Sequence, residues 1–327
     1  MSPDPFFRLD EACHPFSGCE KNCVWSSQYG FCGARIHPDC LRIGQDGSVR
    51  VGLSVSAQAW FETLSQLGNV LQITRNPVAA LGQIGSLPEL VDWRNPVLPR
   101  DYSDSLTPNL AEYAGLWAVR ECSPVGTTYG LEACDASGKA FHRIFLTSSA
   151  QRAIYERFVT DHQSPPAQTG QWFSPNHSVS AHRCRAITNR VSLLRSRLAK
   201  GARDVQELPV AVVPDLLAAA AEGRLPIRTT HYHRALIRAV VWMPDALDPS
   251  PDEKSGIEFL HGDGVGLHIN LPAVTGAWLW HGHCLCCDKQ HWTVEIADAA
   301  DAIGLAFNAG NEHLELDWRD LLKDCLP

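Results

Sequence analysis

Asn109-Leu-Ala-Glu-Tyr-Ala-Gly115-Leu-Trp117 returns as Asn270-Leu-Pro-Ala-Val-Thr-Gly276-Ala-Trp278, and its landmarks recur at one offset of 161 residues (270 − 109 and 278 − 117). A second echo follows: Glu132-Ala-Cys-Asp135-Ala136 recurs as Glu295-Ile-Ala-Asp298-Ala299 at an offset of 163 (295 − 132). The second copy therefore holds two more residues between its tryptophan and its glutamate, in a stretch rich in cysteine and histidine. Solenoid repeats run roughly 20 to 50 residues, so a period this long is the duplication of a whole domain.

Composition agrees. A chain of 327 residues, 45% hydrophobic and 20% charged, can bury two ordinary cores. No run of about 18 apolar residues offers a membrane span, and Met1-Ser-Pro-Asp-Pro-Phe-Phe-Arg8 lacks the basic and apolar regions of a secretory leader, so we expect a cytoplasmic protein without membrane insertion. Twelve cysteines in such a chain are expected as free thiols or metal-bound thiolates and not as disulfides. A net charge of −8 argues against nucleic acid as a partner.

Outward from the repeated motif, residues 1–50 read as an irregular, cysteine-rich extension, 51–163 as the first repeat, 164–205 as a linker with a basic helix, and 206–327 as the second repeat. Trp60, Phe61, Leu64 and Leu67 share a helical face, with Ser56 as N-cap and Gly68 as the stop. Val70–Thr74, Leu116–Cys122, Thr128–Ala133 and Ala140–Leu146 read as strands, with Asp135-Ala-Ser-Gly138 as a tight turn. A helix carrying Ile154 and Phe158 follows Ser148, and a further one containing Pro214 runs through Leu216, Leu217 and Ala220 to Gly223. The expected class is α+β: two tandem repeats, each a large, mostly antiparallel β-sheet with flanking helices.

From Ala181 to Lys200, Cys184, Ile187, Val191, Leu194 and Leu198 step by three and four residues, the stripe of an amphipathic helix that stops at Gly201. The other face carries Arg183, Arg185, Arg190, Arg195, Arg197 and Lys200 and no acidic residue. Guanidinium forks suit carboxylates and phosphates, so this face reads either as an anion-binding surface, for a carboxylate-bearing ligand, nucleic acid or an acidic partner, or as a solvated basic face.

Four segments, read in order, resemble the bacterial haem-utilisation, haemin-degrading HemS/ChuX-like family: Leu67-Gly-Asn-Val-Leu-Gln-Ile-Thr-Arg-Asn76, Asp135-Ala-Ser-Gly-Lys-Ala-Phe-His-Arg-Ile-Phe-Leu146, Leu216-Leu-Ala-Ala-Ala-Ala-Glu-Gly-Arg-Leu-Pro-Ile227, and Gly266-Leu-His-Ile269 with Trp278. The likeness runs from about residue 50 to about residue 310, and its full-length, tandem-repeat members share the linking helix. It implies a chain that binds, transfers or degrades haem, with haem as cofactor and a haem-delivering or haem-accepting protein as partner. It also implies where this chain departs. The family's axial histidine falls at Thr188, and arginines that meet the haem propionates fall at Asn109 and Asn270. His182 and Cys184 are then the nearest candidates for the axial ligand, and Arg75, Arg143, Arg183 and Arg190 are candidate haem-binding cations. His231 and His233 alternate along a strand, as a ligand pair or as a polar sheet face.

Two clusters support a second reading. Cys19, Cys23, Cys32 and Cys40, with Cys13, His14 and His37, offer tetrahedral ligands in the extension; His283, Cys284, Cys286 and His291, with His281 and Cys287, crowd the longer loop of the second repeat. Thiolate and imidazole suit zinc or iron, so the alternative is a diverged, non-haem member that binds zinc or iron or senses redox through these residues. No nucleophile elbow, phosphate-binding loop or His-Glu-x-x-His motif is present, and Gly262-Asp-Gly-Val-Gly266 reads as a turn.

Overall fold

The computed structural model describes residues 41–43, 49–90, 104–123, 126–164, 189–249, 257–262, 264–283 and 290–325. In chain order these form β1 (Leu41–Ile43), β2 (Val49–Leu53), α1 (Ala57–Gln66), β3 (Val70–Arg75), β4 (Ala79–Gly85), β5 (Glu89–Leu90), β6 (Ser105–Pro108), β7 (Gly115–Ser123), β8 (Gly126–Cys134), β9 (Ala140–Leu146) and α2 (Arg152–His162). Then come α3 (Arg190–Ala199), β10 (Val205–Leu208), α4 (Val212–Glu222), β11 (Ile227–His233), β12 (Leu236–Trp242), β13 (Ala246–Pro249), β14 (Ile257–Gly262), β15 (Val265–Asn270), β16 (Gly276–His283), β17 (Gln290–Ala297), β18 (Ile303–Ala309) and α5 (Glu315–Cys325). No described helix is long and apolar enough to cross a membrane.

Local chemistry sets the boundaries. Ser56 Oγ accepts the Ala59 N–H and starts α1, and Gly68, at φ +68°, releases the chain into β3. Asp135 Oδ1 accepts from the backbone of Ser137 and Lys139 while Gly138 takes φ +78°, which turns β8 into β9. Ser148 and Gln151 form a reciprocal capping box ahead of α2. Gly264, at φ +74°, joins β14 to β15, so the glycine-rich segment is a hairpin turn.

Two compact units result, and they do not follow the linear order of the repeats. The described part of one comprises residues up to 73, 82–87 and 110–164; the other takes 74–81, 88–90, 104–109 and everything described from 189 onward. In the first unit the strand order is β1-β2-β7-β8-β9-β3, antiparallel from β1 to β9. Helices α1 and α2 pack through Trp60 and Phe158, and the Tyr155 hydroxyl donates to Val119 O.

The second unit is built on the order β10-β16-β17-β18-β11-β12-β6-β5, antiparallel except for the β5–β6 pair. Its last two strands come from the first repeat, a pairing that no local pattern announces. One face packs Val213, Leu216, Leu217 and Ala220 of α4 and Trp318 and Leu322 of α5 against Ile227, Val240, Leu305 and Phe307. On the other, Val191 and Leu194 of α3 meet Val205, Tyr232, Ile237, Trp278, Trp280 and Ala306.

The repeated asparagines act as matching clamps inside this unit. Asn109 gives its backbone N–H to Ala235 O (2.8 Å) and its side-chain amide to Arg234 O (3.1 Å). Asn270 does the same to Val78 O (2.9 Å) and Pro77 O (3.5 Å). Each holds the hairpin turn of the opposite repeat. The positions where the resemblance implies propionate-binding arginines in relatives are therefore occupied here by side chains that hold turns.

Candidate functional site

The α3-covered face of the second unit is a lattice of cross-strand rows. Paired positions share a face, so the strand registers align Glu207, Trp278, Glu295, Ala306, Thr230 and Ala239 in one row. The next row runs Val205, Trp280, Thr293, then, one step on from Val294↔Phe307, Asn308, Arg228 and Val241. Thr293, Glu295, Asn308 and Arg228 are all buried, in two adjacent rows that each hold a tryptophan.

Arg190, the first residue of α3, reaches down onto this face. Its guanidinium stacks over Trp280, 3.9 Å from the ring centroid, and Nε donates to Glu295 Oε2 at 3.2 Å. Burial pushes the Glu295 carboxyl up, and Arg190 pulls against it. The first repeat solves the same problem differently. There Glu132 takes Arg143 Nε at 2.6 Å and Arg50 at 3.4 Å, and Arg143 also bonds Glu121. Ala306 stands 163 residues after Arg143, so the second repeat has lost the strand arginine and draws its cation from the linking helix.

The described residues place the sequence candidates as follows. Arg190 lies on the face. Arg143 is held by two carboxylates and lies over Phe145; burial acts to lower its pKa, but Glu132 and Glu121 raise it. Arg75 ends β3 with its side chain exposed. His182, Arg183, Cys184 and Thr188, the metal candidates Cys19, Cys23, Cys32, Cys40, Cys284 and Cys286, and the His283 side chain lie outside the described residues.

The helix itself differs from its sequence pattern in two respects. The acidic partners absent from its own sequence come from the sheet loops: Arg195 meets Asp301 at 2.5 Å, and Arg197 pairs with Asp204. Its described basic face is thus largely neutralised within the unit. Leu198 is half-exposed while Arg190 is buried, because the stacking on Trp280 and the pair with Glu295 turn the arginine inward.

The second metal cluster is divided by register. His281 pairs with Trp292 and stacks on it, whereas His291 pairs with Gly282, so the two imidazoles lie on opposite faces of the sheet and a metal drawing on both is excluded. Among the described residues no group of three or more His, Cys, Asp or Glu is placed to hold a metal ion. His291 lies two residues before Thr293 on the α3 side, buried, with Nδ1 3.3 Å from Glu315 Oε2. Nor do His231 and His233 form a ligand pair. His231 Nε2 lies 3.3 Å from Ala79 O, and burial pushes its pKa down to about 3, while His233 Nδ1 accepts the Ala235 N–H. Thr293 and Asn308 were not singled out in the sequence, and Glu295 was read only as a landmark of the repeat; the available signal was a polar residue recurring on one side of strands otherwise written in apolar residues.

The profile of the haemin-degrading HemS.ChuX domain matches residues 40–162. Residues 40–162 are thus similar to a HemS/ChuX-like domain. The match covers the first repeat, and the whole fold resembles two solved full-length structures. Holo-PhuS, a heme-binding protein from Pseudomonas aeruginosa, superposes with a TM-score of 0.64 at 18% identity, over 86% of this chain and 87% of that one. The heme degrading enzyme ChuS of Escherichia coli O157:H7 superposes with a TM-score of 0.64 at 13% identity, over 85% and 87%. No curated protein sequence matches the chain. The chain thus has the tandem architecture expected from its repeated motif.

Proposed function

We propose that the chain binds haem in haem-iron utilisation and hands it on or presents it for degradation, working in the cytoplasm with a protein that delivers or accepts the haem. The observation that carries this reading is the α3-covered face: tryptophans 278 and 280, Tyr232 and Ile237 form an apolar floor, and a buried arginine stands over it. A haem site needs an apolar slot, cations for two carboxylates and a soft or imidazole axial ligand.

A buried apolar floor packed against α3 supports the first need, and Arg190 supports part of the second. For the third, the face carries His291, whose Nδ1 faces Glu315, an arrangement that fixes ring orientation as carboxylates do behind ligating imidazoles. His182 and Cys184 remain the other candidates. The reading assigns Arg190 to carboxylate binding, Trp280 to the ring, and the iron ligand to one of His291, His182 or Cys184. Bound haem would supply the redox chemistry, and the protein would bind, orient and exclude water.

Haemin titration of the whole protein, followed by absorbance, tests the reading, with His291→Ala, His182→Ala and Cys184→Ala alongside. We expect a saturable one-to-one Soret shift, and one of the three variants should weaken it. Absence of a saturable shift in the wild type refutes haem binding.

A further inference from the structure

We propose that Thr293, Asn308 and the free edge of Arg190 form a buried carboxylate-binding subsite on the α3-covered face. Asn308 is 1% exposed and Thr293 2%, yet among the described residues neither the Asn308 amide, at either atom, nor the Thr293 hydroxyl has a hydrogen-bond partner. Buried polar groups are rarely left this way, since each unmade bond carries its full desolvation cost. Thr293 and Asn308 lie one step beyond the Val294–Phe307 pair on adjacent strands, and Trp280 flanks Thr293 in the same row.

Arg190 supplies the charge. Nε is engaged by Glu295, but Nη2 is buried without a partner. Arg190 also opens a ten-residue helix whose Asn189 cap makes no side-chain hydrogen bond and whose first turn has no acidic residue, so the positive end of the helix dipole is uncompensated by its own sequence. Arg190 Nη2, the Asn308 NH2 and the Thr293 hydroxyl can all donate, which is the donor set that a carboxylate accepts. A cation ligand does not suit it, because the one buried carboxylate in these two rows, Glu295, is already paired with Arg190, and the other, Glu207, is exposed.

Such a subsite replaces function that Asn109 and Asn270, engaged as clamps, do not provide. It rests on the haem reading for the body of the ligand; the carboxylate belongs either to a haem propionate or to a free small acid. The two sources separate in one experiment. The wild type, Thr293→Val and Asn308→Leu are each titrated with haemin, with haemin dimethyl ester, whose propionates are esterified, and with sodium propionate followed by thermal shift. Both substitutions are near-isosteric and remove groups that have no partner, so far-UV CD and the thermal midpoint should be retained.

If the subsite holds propionate, haemin binds the wild type about tenfold or more tightly than its diester, and each variant loses that preference without weakening the diester. If it holds a free acid, propionate gives a saturable thermal shift in the wild type that both variants abolish, whatever haemin does. In that case absence of haemin binding overturns the haem reading and leaves the subsite standing. The subsite is overturned if the wild type binds haemin and its diester alike and shows no propionate shift, or if the variants respond as the wild type does.

Discussion

Asn76 makes four hydrogen bonds at once, and replacing it with alanine should cost more than any other single polar substitution in the described part of the second unit. Its Nδ2 donates to Tyr232 O and Gly304 O, both at 2.8 Å, while Oδ1 accepts from Val78 N and Ala79 N, both at 2.9 Å. The amide thus ties the tip of a first-repeat hairpin onto second-repeat strands β11 and β18. Contact there is close: a Cβ on Gly304 would meet Val78 Cγ2 at 2.0 Å. At about 1 kcal/mol net per bond, four bonds give about 4 kcal/mol. Asn76 is half-buried, so water recovers part of the loss and the expected cost of Asn76→Ala is about 3 kcal/mol. Urea denaturation followed by tryptophan fluorescence measures it, and amide exchange gives the local reading. Val78 and Ala79 should lose protection, and so should Asn270, whose N–H donates to Val78 O. Asn76→Asp keeps both acceptors but sets a carboxylate against two carbonyls, so it should be no milder. Lys323→Ala, in an exposed pair with Asp320, serves as control at under about 0.5 kcal/mol. A cost below about 1 kcal/mol for Asn76→Ala, or unchanged exchange at Val78 and Ala79, would show that the clamp is not what holds the hairpin.

Buried His231 makes stability depend on pH. Its folded pKa of about 3 lies below the unfolded value near 6.5, so the unfolded chain binds the extra proton and stability falls as pH drops through that window, by about 2 kcal/mol between pH 6.5 and 5; His231→Gln should flatten this part of the profile, and an unaltered slope would sink the assignment. Arg190→Leu leaves Glu295 buried without its cation and should cost about 3 kcal/mol, whereas adding Glu295→Leu should recover most of that loss; a double variant as unstable as the sum of the singles would mean the two do not interact. Asn109→Ala should cost about 1 kcal/mol and Asn270→Ala less, given bonds of 3.1 and 3.5 Å, and neither should change haemin affinity by more than about twofold. Loss of affinity in either variant would return these positions to the ligand site.

What the sequence disclosed follows from the range of the interactions. Ser56, Gly68, the Asp135–Gly138 turn and the Ser148 capping box act within four residues, and each lies where its local pattern implies. The duplication was visible because Asn109 and Asn270 keep the same clamping task and both tryptophans stay buried or half-buried beside the strand glutamate. Segment exchange was not visible. Whether Ser105–Pro108 pairs with its own repeat or with β12 depends on a partner more than 120 residues away (238 − 106 = 132), and alternation along a strand is the same either way. The orientation of α3 was half visible: Val191 and Leu194 are buried as their spacing implies, but Leu198 is exposed near the helix end, and Arg190 is drawn inward by a cation–π contact and an ion pair. Thr293 and Asn308 resemble ordinary strand residues until register sets them one step beyond the Val294–Phe307 pair beneath a helix.

The two repeats have kept one glutamate and changed the source of its counter-charge, and this bears on where function resides. Glu132 is neutralised by Arg143 and Arg50, all on strands of one sheet, so nothing short of unfolding that sheet separates the charges. Glu295 is neutralised from a separate element. The covering helix is held over the second-repeat face by Val191, Leu194 and three ion pairs, of which Arg195–Asp301 and Arg197–Asp204 are partly exposed and contribute little. A ligand carboxylate that engages the free edge of Arg190 strengthens the helix's hold on the face; a ligand that must enter beneath the helix first has to break the Arg190–Glu295 pair, and leaves Glu295 buried in an environment that already raises its pKa. The second repeat's glutamate is thus tied to a separate helix, whereas the first repeat's is held within strands of one sheet, and the first repeat also donates the hairpin and edge strands of the second unit.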